Sequence, residues 1–152
     1  MRRPQFWSLV HGYPFGEPNV VKAKIGGKVN VGWIRNTCAI RMSSSLNHAG
    51  VKIPRKYPGL LTAKGGNGNY YALRIKEISK YYRKVFGPPD VFMDGKVGSI
   101  NSDQIINKQG IVALHVSFSD ATGHTTLWYK EVCVDESNYF NRAYKMEFWS
   151  MP

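Results

Sequence analysis

Asn36-Thr37-Cys38-Ala39-Ile40-Arg41-Met42-Ser43 carries a cysteine to the start of a helical pattern. From Ala39 the apolar residues recur at Met42, Leu46 and Ala49, the spacing of one helix face, and Gly50 stands where a C-terminal cap belongs. Cys38 therefore falls in the first turn. Asn36 or Thr37 is placed to cap that turn by accepting a backbone N–H, which leaves the other first-turn donors and the positive end of the helix dipole near the sulfur. A helix end contributes ~0.3–1 kcal/mol and at best ~2, short of the ~5 kcal/mol that a strongly activated thiol requires. A nucleophile here needs a cationic imidazole beside it. The bland alternative is a cysteine that serves as a small buried hydrophobe.

Composition bounds what such a cysteine serves. The chain has 152 residues, 43% of them hydrophobic, enough for a single domain over residues 1–152 that buries roughly two-thirds of its unfolded surface. Lys and Arg number 21 against 10 Asp and Glu, for a net charge of +11. The basic residues are spread along the chain, which argues against a disordered basic tail and suits an anionic partner such as nucleic acid, a membrane surface or a cell-wall polymer. Two cysteines, Cys38 and Cys133, are too few for a disulfide framework, and no C-x-x-C or H-E-x-x-H spacing suggests a metal, so no cofactor is expected. No apolar run long enough for a signal-peptide core or a membrane span occurs. The expectation is synthesis in the cytoplasm and export without a cleaved signal.

Along the chain, Phe6 to Val10 reads as a short helix and Asn19 to Lys28 as a weakly amphipathic one ended by Gly26-Gly27. Residues 30–37 form a loop, with Trp33 expected to cover the Cys38 helix. Val51 to Asn69 reads as a Lys-, Pro- and Gly-rich surface loop; its glycines follow no clear strand and lack the Lys-Ser or Lys-Thr ending of a phosphate-binding loop. Tyr71 to Phe86 is the strongest helix, with Ile75, Ile78, Tyr82 and Val85 as its apolar stripe and Gly87-Pro88-Pro89 as its stop. Asp94-Gly95 is a hairpin candidate, and Asn101 to Asn107 a short helix closed by Gly110. The period then changes to two: Ile111 to Phe118, His124 to Tyr129 and Tyr144 to Trp149 read as strands, the first two antiparallel across a turn at Ser119 to Gly123. Helices first and a small antiparallel sheet last is an α+β arrangement.

Four histidines are available to partner Cys38. His48 lies too far along the same helix, and His11 sits in a Gly- and Pro-broken segment. His124, after Gly123 at the start of a strand, is best placed, and His115 on the neighbouring strand is the reserve. An orienting acceptor for the imidazole is offered by Asp135, beyond the His124 strand after room to turn back, or by its rival Asp120 in the preceding turn. Cysteine on a helix, then histidine on a strand, then an acceptor is the papain-like order. Trp128 and Arg41 are candidate substrate contacts, each with a structural alternative, core packing for Trp128 and a solvated helix face for Arg41.

The Cys38 motif, followed by Leu46-Asn47 and Ala49-Gly50, resembles the nucleophile motif of the type VI secretion amidase effectors, family 4. Asp120-Ala121-Thr122-Gly123-His124 with Leu127-Trp128 is similar to that family's histidine motif, and Arg3-Pro4, Ile25 to Val29 and the Tyr71-to-Tyr82 helix extend the likeness over most of the chain. The resemblance implies a papain-like cysteine peptidase fold of the NlpC/P60 kind, with Cys38 as nucleophile, His124 as base and Asp135 as orienting acid. It implies cleavage of the γ-D-glutamyl to meso-diaminopimelate bond in peptidoglycan stems, delivery by the type VI secretion apparatus into a rival cell's periplasm, and a cognate immunity protein. The oxyanion would be held by the Cys38 N–H and a second donor, with Asn36 as candidate. The chain departs from the family pattern at Tyr129-Lys130, where many members have Asn-Gly or Asp-Gly, and at Glu136 and Phe140, where some carry a disulfide. The competing readings are a basic, non-enzymatic domain binding single-stranded nucleic acid, and a cysteine acyl-transfer enzyme acting on another amide.

Overall fold

The computed structural model describes residues 2–117 and 122–152. Its first half is helical: α1 (Phe6–His11), α2 (Pro18–Ile25), α3 (Cys38–His48) and α4 (Ile75–Phe86), with strands β1 (Thr62–Lys64) and β2 (Tyr70–Ala72) between the last two. Its second half supplies β3 (Val91–Asp94), β4 (Lys108–Val116), β5 (Gly123–Lys130), β6 (Val132–Cys133) and β7 (Ala143–Ser150). These five form one sheet in the order β3-β7-β4-β5-β6, every pairing antiparallel. The α+β, papain-like arrangement is the one observed.

Helix α3 is the pivot between the two halves. Ala39, Met42 and Leu46 are buried against Phe6 and Leu9 of α1, Ile78 and Tyr82 of α4, and Ile111, Ala113 and Leu127 of the sheet. The helix stops as its sequence requires: Gly50 takes φ +90°, its N–H donates to the Asn47 carbonyl (3.2 Å), and the Val51 N–H donates to the Leu46 carbonyl (2.8 Å), a Schellman stop that only glycine makes without strain. The other face of the sheet carries Val112, Leu114, Trp128, Met146 and Phe148, covered by Ile100, Ile105 and Phe140.

Several local expectations yield to tertiary partners. Helix α4 begins at Ile75 rather than Tyr71, because the preceding residues are claimed by α3: Ser43 Oγ accepts the Ala72 N–H (2.8 Å) and Asn47 Nδ2 donates to the Tyr70 carbonyl (2.8 Å). The 51–69 stretch is not all loop, since residues 62–64 pair with β2 and the glycines at 65–68 lie in the turn between them. Val91–Asp94 is a strand on the far side of β7, with Asp94 opposite Lys145, so Asp94-Gly95 makes no hairpin. Asn101 to Asn107 contains only a 3-10 turn, Asp103–Ile105, and Gly110 lies within β4. Helix α2 ends at Ile25, where Gly26 takes φ +73°. Trp33 covers nothing on α3: it is 69% exposed. Phe118 and the rival acid Asp120 lie outside the described residues.

Gly110 sits where the central strand meets β7, and a Cβ there would lie 2.0 Å from the Trp149 carbonyl oxygen. Backbone cannot give way cheaply, so Gly110→Ala is expected to cost about 3 kcal/mol and lower the thermal midpoint by about 10 °C, read by calorimetry.

Candidate active site

Cys38 lies at the floor of a cleft of about 900 Å³, between the start of α3, the start of β5, the loop after α1 and the segment after β6. Its helix start is set by Asn36 rather than Thr37: Asn36 Oδ1 accepts the Cys38 N–H at 2.9 Å, while Thr37 makes no side-chain cap. That bond occupies the backbone donor expected for an oxyanion. It also fixes the Asn36 amide, because only the oxygen can accept, so Nδ2 is the free donor.

His124 opens β5 and is brought to Asp135 by the hairpin into β6, where Trp128 pairs with Cys133. Lys130 at φ +56° makes the reversal, and the Val134 N–H donates to the Leu127 carbonyl (2.8 Å), holding the returning chain beside β5. His124 Nε2 meets Asp135 Oδ2 at 2.7 Å. Cys38 lines the same cleft and stands near enough to raise the imidazole's pKa; with Nε2 taken by Asp135, Nδ1 is the nitrogen left for the sulfur. Burial is the strongest single influence on His124 and disfavours its charge, but Asp135 and Cys38 together outweigh it and raise the group from 6.5 to about 9. Asp135 is held below the ordinary carboxylate value: burial pushes it up, and His124 and Ser137 more than reverse this. Ser137 supplies two donors to Asp135 Oδ1, its N–H (3.1 Å) and its hydroxyl (2.6 Å). The Tyr139 ring meets the imidazole edge-to-face, with ring centroids 5.0 Å apart.

Two residues that the sequence left unmarked complete the cleft. Ser137 is one, and the Asp-x-Ser spacing that lets a carboxylate accept from two residues on was the available signal. Tyr13 is the other, and its Gly- and Pro-broken segment offers no pattern that would have found it. Burial, reinforced by the Asp135 charge, pushes the Tyr13 hydroxyl well above the ordinary phenol value, so it stays protonated. Thr126 Oγ1 donates to it at 3.4 Å.

Arg41 lines the cleft with its fork turned to the wall: Nη1 and Nη2 donate to the carbonyls of Pro14 (3.0 Å) and Gly16 (2.7 Å), and Nε to Thr37 Oγ1 (3.0 Å). It anchors the loop that carries Tyr13. Trp128 is a correction: it is 2% exposed, its Nε1 donates to the Ile105 carbonyl (2.9 Å), and its ring packs on Phe140. The parity that puts Trp128 on the His124 side of β5 also carries it under the covering layer, away from the cleft. His115 faces Glu147 at 2.6 Å, and Glu147 also receives Arg83 (2.6 Å), so the reserve histidine belongs to another network. Cys133 is buried and unpaired.

Comparison with known proteins gives one family and several structures. The model of the type VI secretion system amidase effector protein 4 family matches residues 34–149. The chain is similar to the Tae4 effector in a Tae4–Tai4 effector–immunity complex from Salmonella Typhimurium, with 28% identity, a TM-score of 0.87, and coverage of 99% of this chain and 100% of that one. It is similar to Tae4 in the corresponding Enterobacter cloacae complex, with 28% identity, a TM-score of 0.88 and 99% of both chains covered. Tae4 of Enterobacter cloacae alone gives 29% identity and a TM-score of 0.85 over 100% of both. No match is found among curated protein sequences.

Because burial alone would lower His124, Asp135→Asn is expected to move the His124 titration from about 9 toward lower pH, followed by imidazole NMR shifts. An unchanged titration would mean that Asp135 does not set the charge of that ring.

Proposed function

The chain belongs to the type VI secretion system amidase effector protein 4 family, peptidoglycan amidases directed against other bacteria, and on that premise we propose that it hydrolyses the γ-D-glutamyl to meso-diaminopimelate amide through Cys38, His124 and Asp135. The observation that carries this reading is the cleft in which an imidazole, held by a carboxylate at 2.7 Å, shares the wall with a cysteine at the head of a buried helix.

The thiolate of Cys38 attacks the amide carbonyl. The negative charge that develops on its oxygen meets Asn36 Nδ2, whose amide is already oriented by the Cys38 N–H, and the protonated Tyr13 hydroxyl, which keeps its own hydrogen for the cleft while it accepts from Thr126. His124, as imidazolium, gives its proton to the departing diaminopimelate nitrogen, and the C–N bond breaks to leave a thioester of the D-glutamyl γ-carboxyl on Cys38. Water then attacks the thioester, His124 takes the water proton, and the carboxylate and free thiolate are released. Asp135 stays ionised and holds the ring with Nδ1 toward sulfur. Arg41 contributes by fixing the Tyr13 loop, and a guanidinium donor not used on that loop is available to a stem carboxylate.

The Salmonella and Enterobacter relatives are seen in effector–immunity complexes; a cognate immunity protein that closes the cleft is the corresponding partner here. Delivery through the type VI apparatus and action in the target periplasm complete the reading.

Cys38→Ala, His124→Ala and Asp135→Ala are each expected to reduce release of soluble muropeptides from Gram-negative sacculi by at least roughly 100-fold, with thermal midpoints close to the parent's. Mass spectrometry should find new ends between D-glutamate and diaminopimelate; cuts at the D-alanine cross-link would overturn the bond assignment. The basic limb of kcat/KM should fall near pH 9, where His124 loses the proton it must donate. A limb that does not follow the His124 titration observed in Asp135→Asn would remove His124 from the donor role.

A further inference from the structure

Lys22 is buried at 5% exposure, and its ammonium donates to the carbonyls of Val31 (2.9 Å) and Ile34 (2.6 Å). Two charge-assisted bonds from one buried head fix the 31–34 turn. Between those anchored carbonyls stands Trp33, 69% exposed. A lone surface tryptophan needs no explanation. This one lines a groove of about 710 Å³ with exposed Leu61, Lys28, Arg55, Lys56 and Lys64, and no Asp or Glu lines it. The walls are tied together: the Gly66 N–H of the β1–β2 turn donates to the Ile25 carbonyl at the end of α2 (2.9 Å), and a Cβ on Gly27 would lie 2.7 Å from the Gly65 backbone. The groove is therefore a built feature of the fold.

Its position relates it to the cleft. The segment that displays Trp33 continues into Arg35 and Asn36, which line the Cys38 cleft. Trp33 and Cys38 are five positions apart, a span of at most roughly 18 Å. A ligand in both sites must be extended, must present flat apolar faces to an indole and must carry several negative charges to match four cations.

We propose that this groove is an exosite for the peptidoglycan strand flanking the scissile amide, with sugar faces stacked on Trp33 and stem carboxylates paired with Lys28, Arg55, Lys56 and Lys64. The inference rests on the amidase reading above. It assigns these residues to gripping the polymer, and Cys38, His124 and Asp135 to cutting it.

The test separates grip from chemistry. In the full chain carrying Cys38→Ala, Trp33→Ala and the pair Lys56→Glu/Lys64→Glu are each expected to weaken co-sedimentation with isolated sacculi roughly tenfold at about 50 mM salt, and Trp33→Phe to restore most of it. In the active chain the same substitutions should slow release from sacculi by a similar factor and leave cleavage of the soluble tetrapeptide L-Ala-D-Glu-diaminopimelate-D-Ala at the parent rate. A misfolded variant would instead lose both. Unchanged sedimentation overturns the proposal. So does retained sacculus binding with lost affinity for the immunity protein or a single-stranded oligonucleotide, which would hand the groove to that partner. If the parent cuts neither substrate, the amidase reading fails, while sedimentation still decides the groove.

Discussion

A thiol at the head of a helix reaches an imidazole on a strand only if both elements are immovable. Helix α3 meets that demand with Met42 and Leu46 fully buried and with Ser43 and Asn47 bonded to the backbone of residues 70–72 and Ile53. Sliding the helix by one turn would break those bonds and expose apolar surface worth ~1.5–3 kcal/mol per large side chain. Strand β5 is held between β4 and β6. The sheet, the helical layer and the cleft all follow from keeping those two ends face to face.

Electrostatics in the cleft are a contest between burial and pairing. Burial disfavours the charge on His124 and on Asp135, yet each carries it because the other is 2.7 Å away. Ser137 satisfies the second carboxylate oxygen, so the half-buried pair leaves no acceptor unpaired. A second histidine–carboxylate contact, His115 with Glu147, is fully buried and has a similar distance of 2.6 Å, but is completed by Arg83. The third member distinguishes the two: Arg83 makes a network joining α4 to the sheet, whereas the His124 pair opens onto the cleft that Cys38 lines.

The 31–38 segment links these properties to the basic surface. Lys22 fixes its first half from below and Asn36 its second half by capping α3. One short stretch thus displays an exposed tryptophan at one end and delivers the sulfur at the other. The spread of positive charge, +11 over the chain, favours approach to an anionic polymer throughout, and the groove gives part of that charge a shape.

Signals carried by neighbours in the chain were legible without a structure. The cap and spacing around Cys38, the stripe of α4, the alternation of β4 and β5, and the positions of His124 and Asp135 each depend on a few consecutive residues. The family motifs extended that reading to the fold. What tertiary structure alone decided involves residues whose partners lie far away in sequence. Residues 70–72 became strand because Asn47 takes the Tyr70 carbonyl and Ser43 the Ala72 N–H. Residues 91–94 found β7 rather than a hairpin partner. Trp128 went under Phe140 and Ile105 instead of into the cleft, and Arg41 turned to the Pro14–Gly16 loop. Local sequence sets which face of an element is apolar and where the element stops; which partner covers that face is settled by packing, where long-range hydrogen bonds and buried area outweigh the propensities of a few residues.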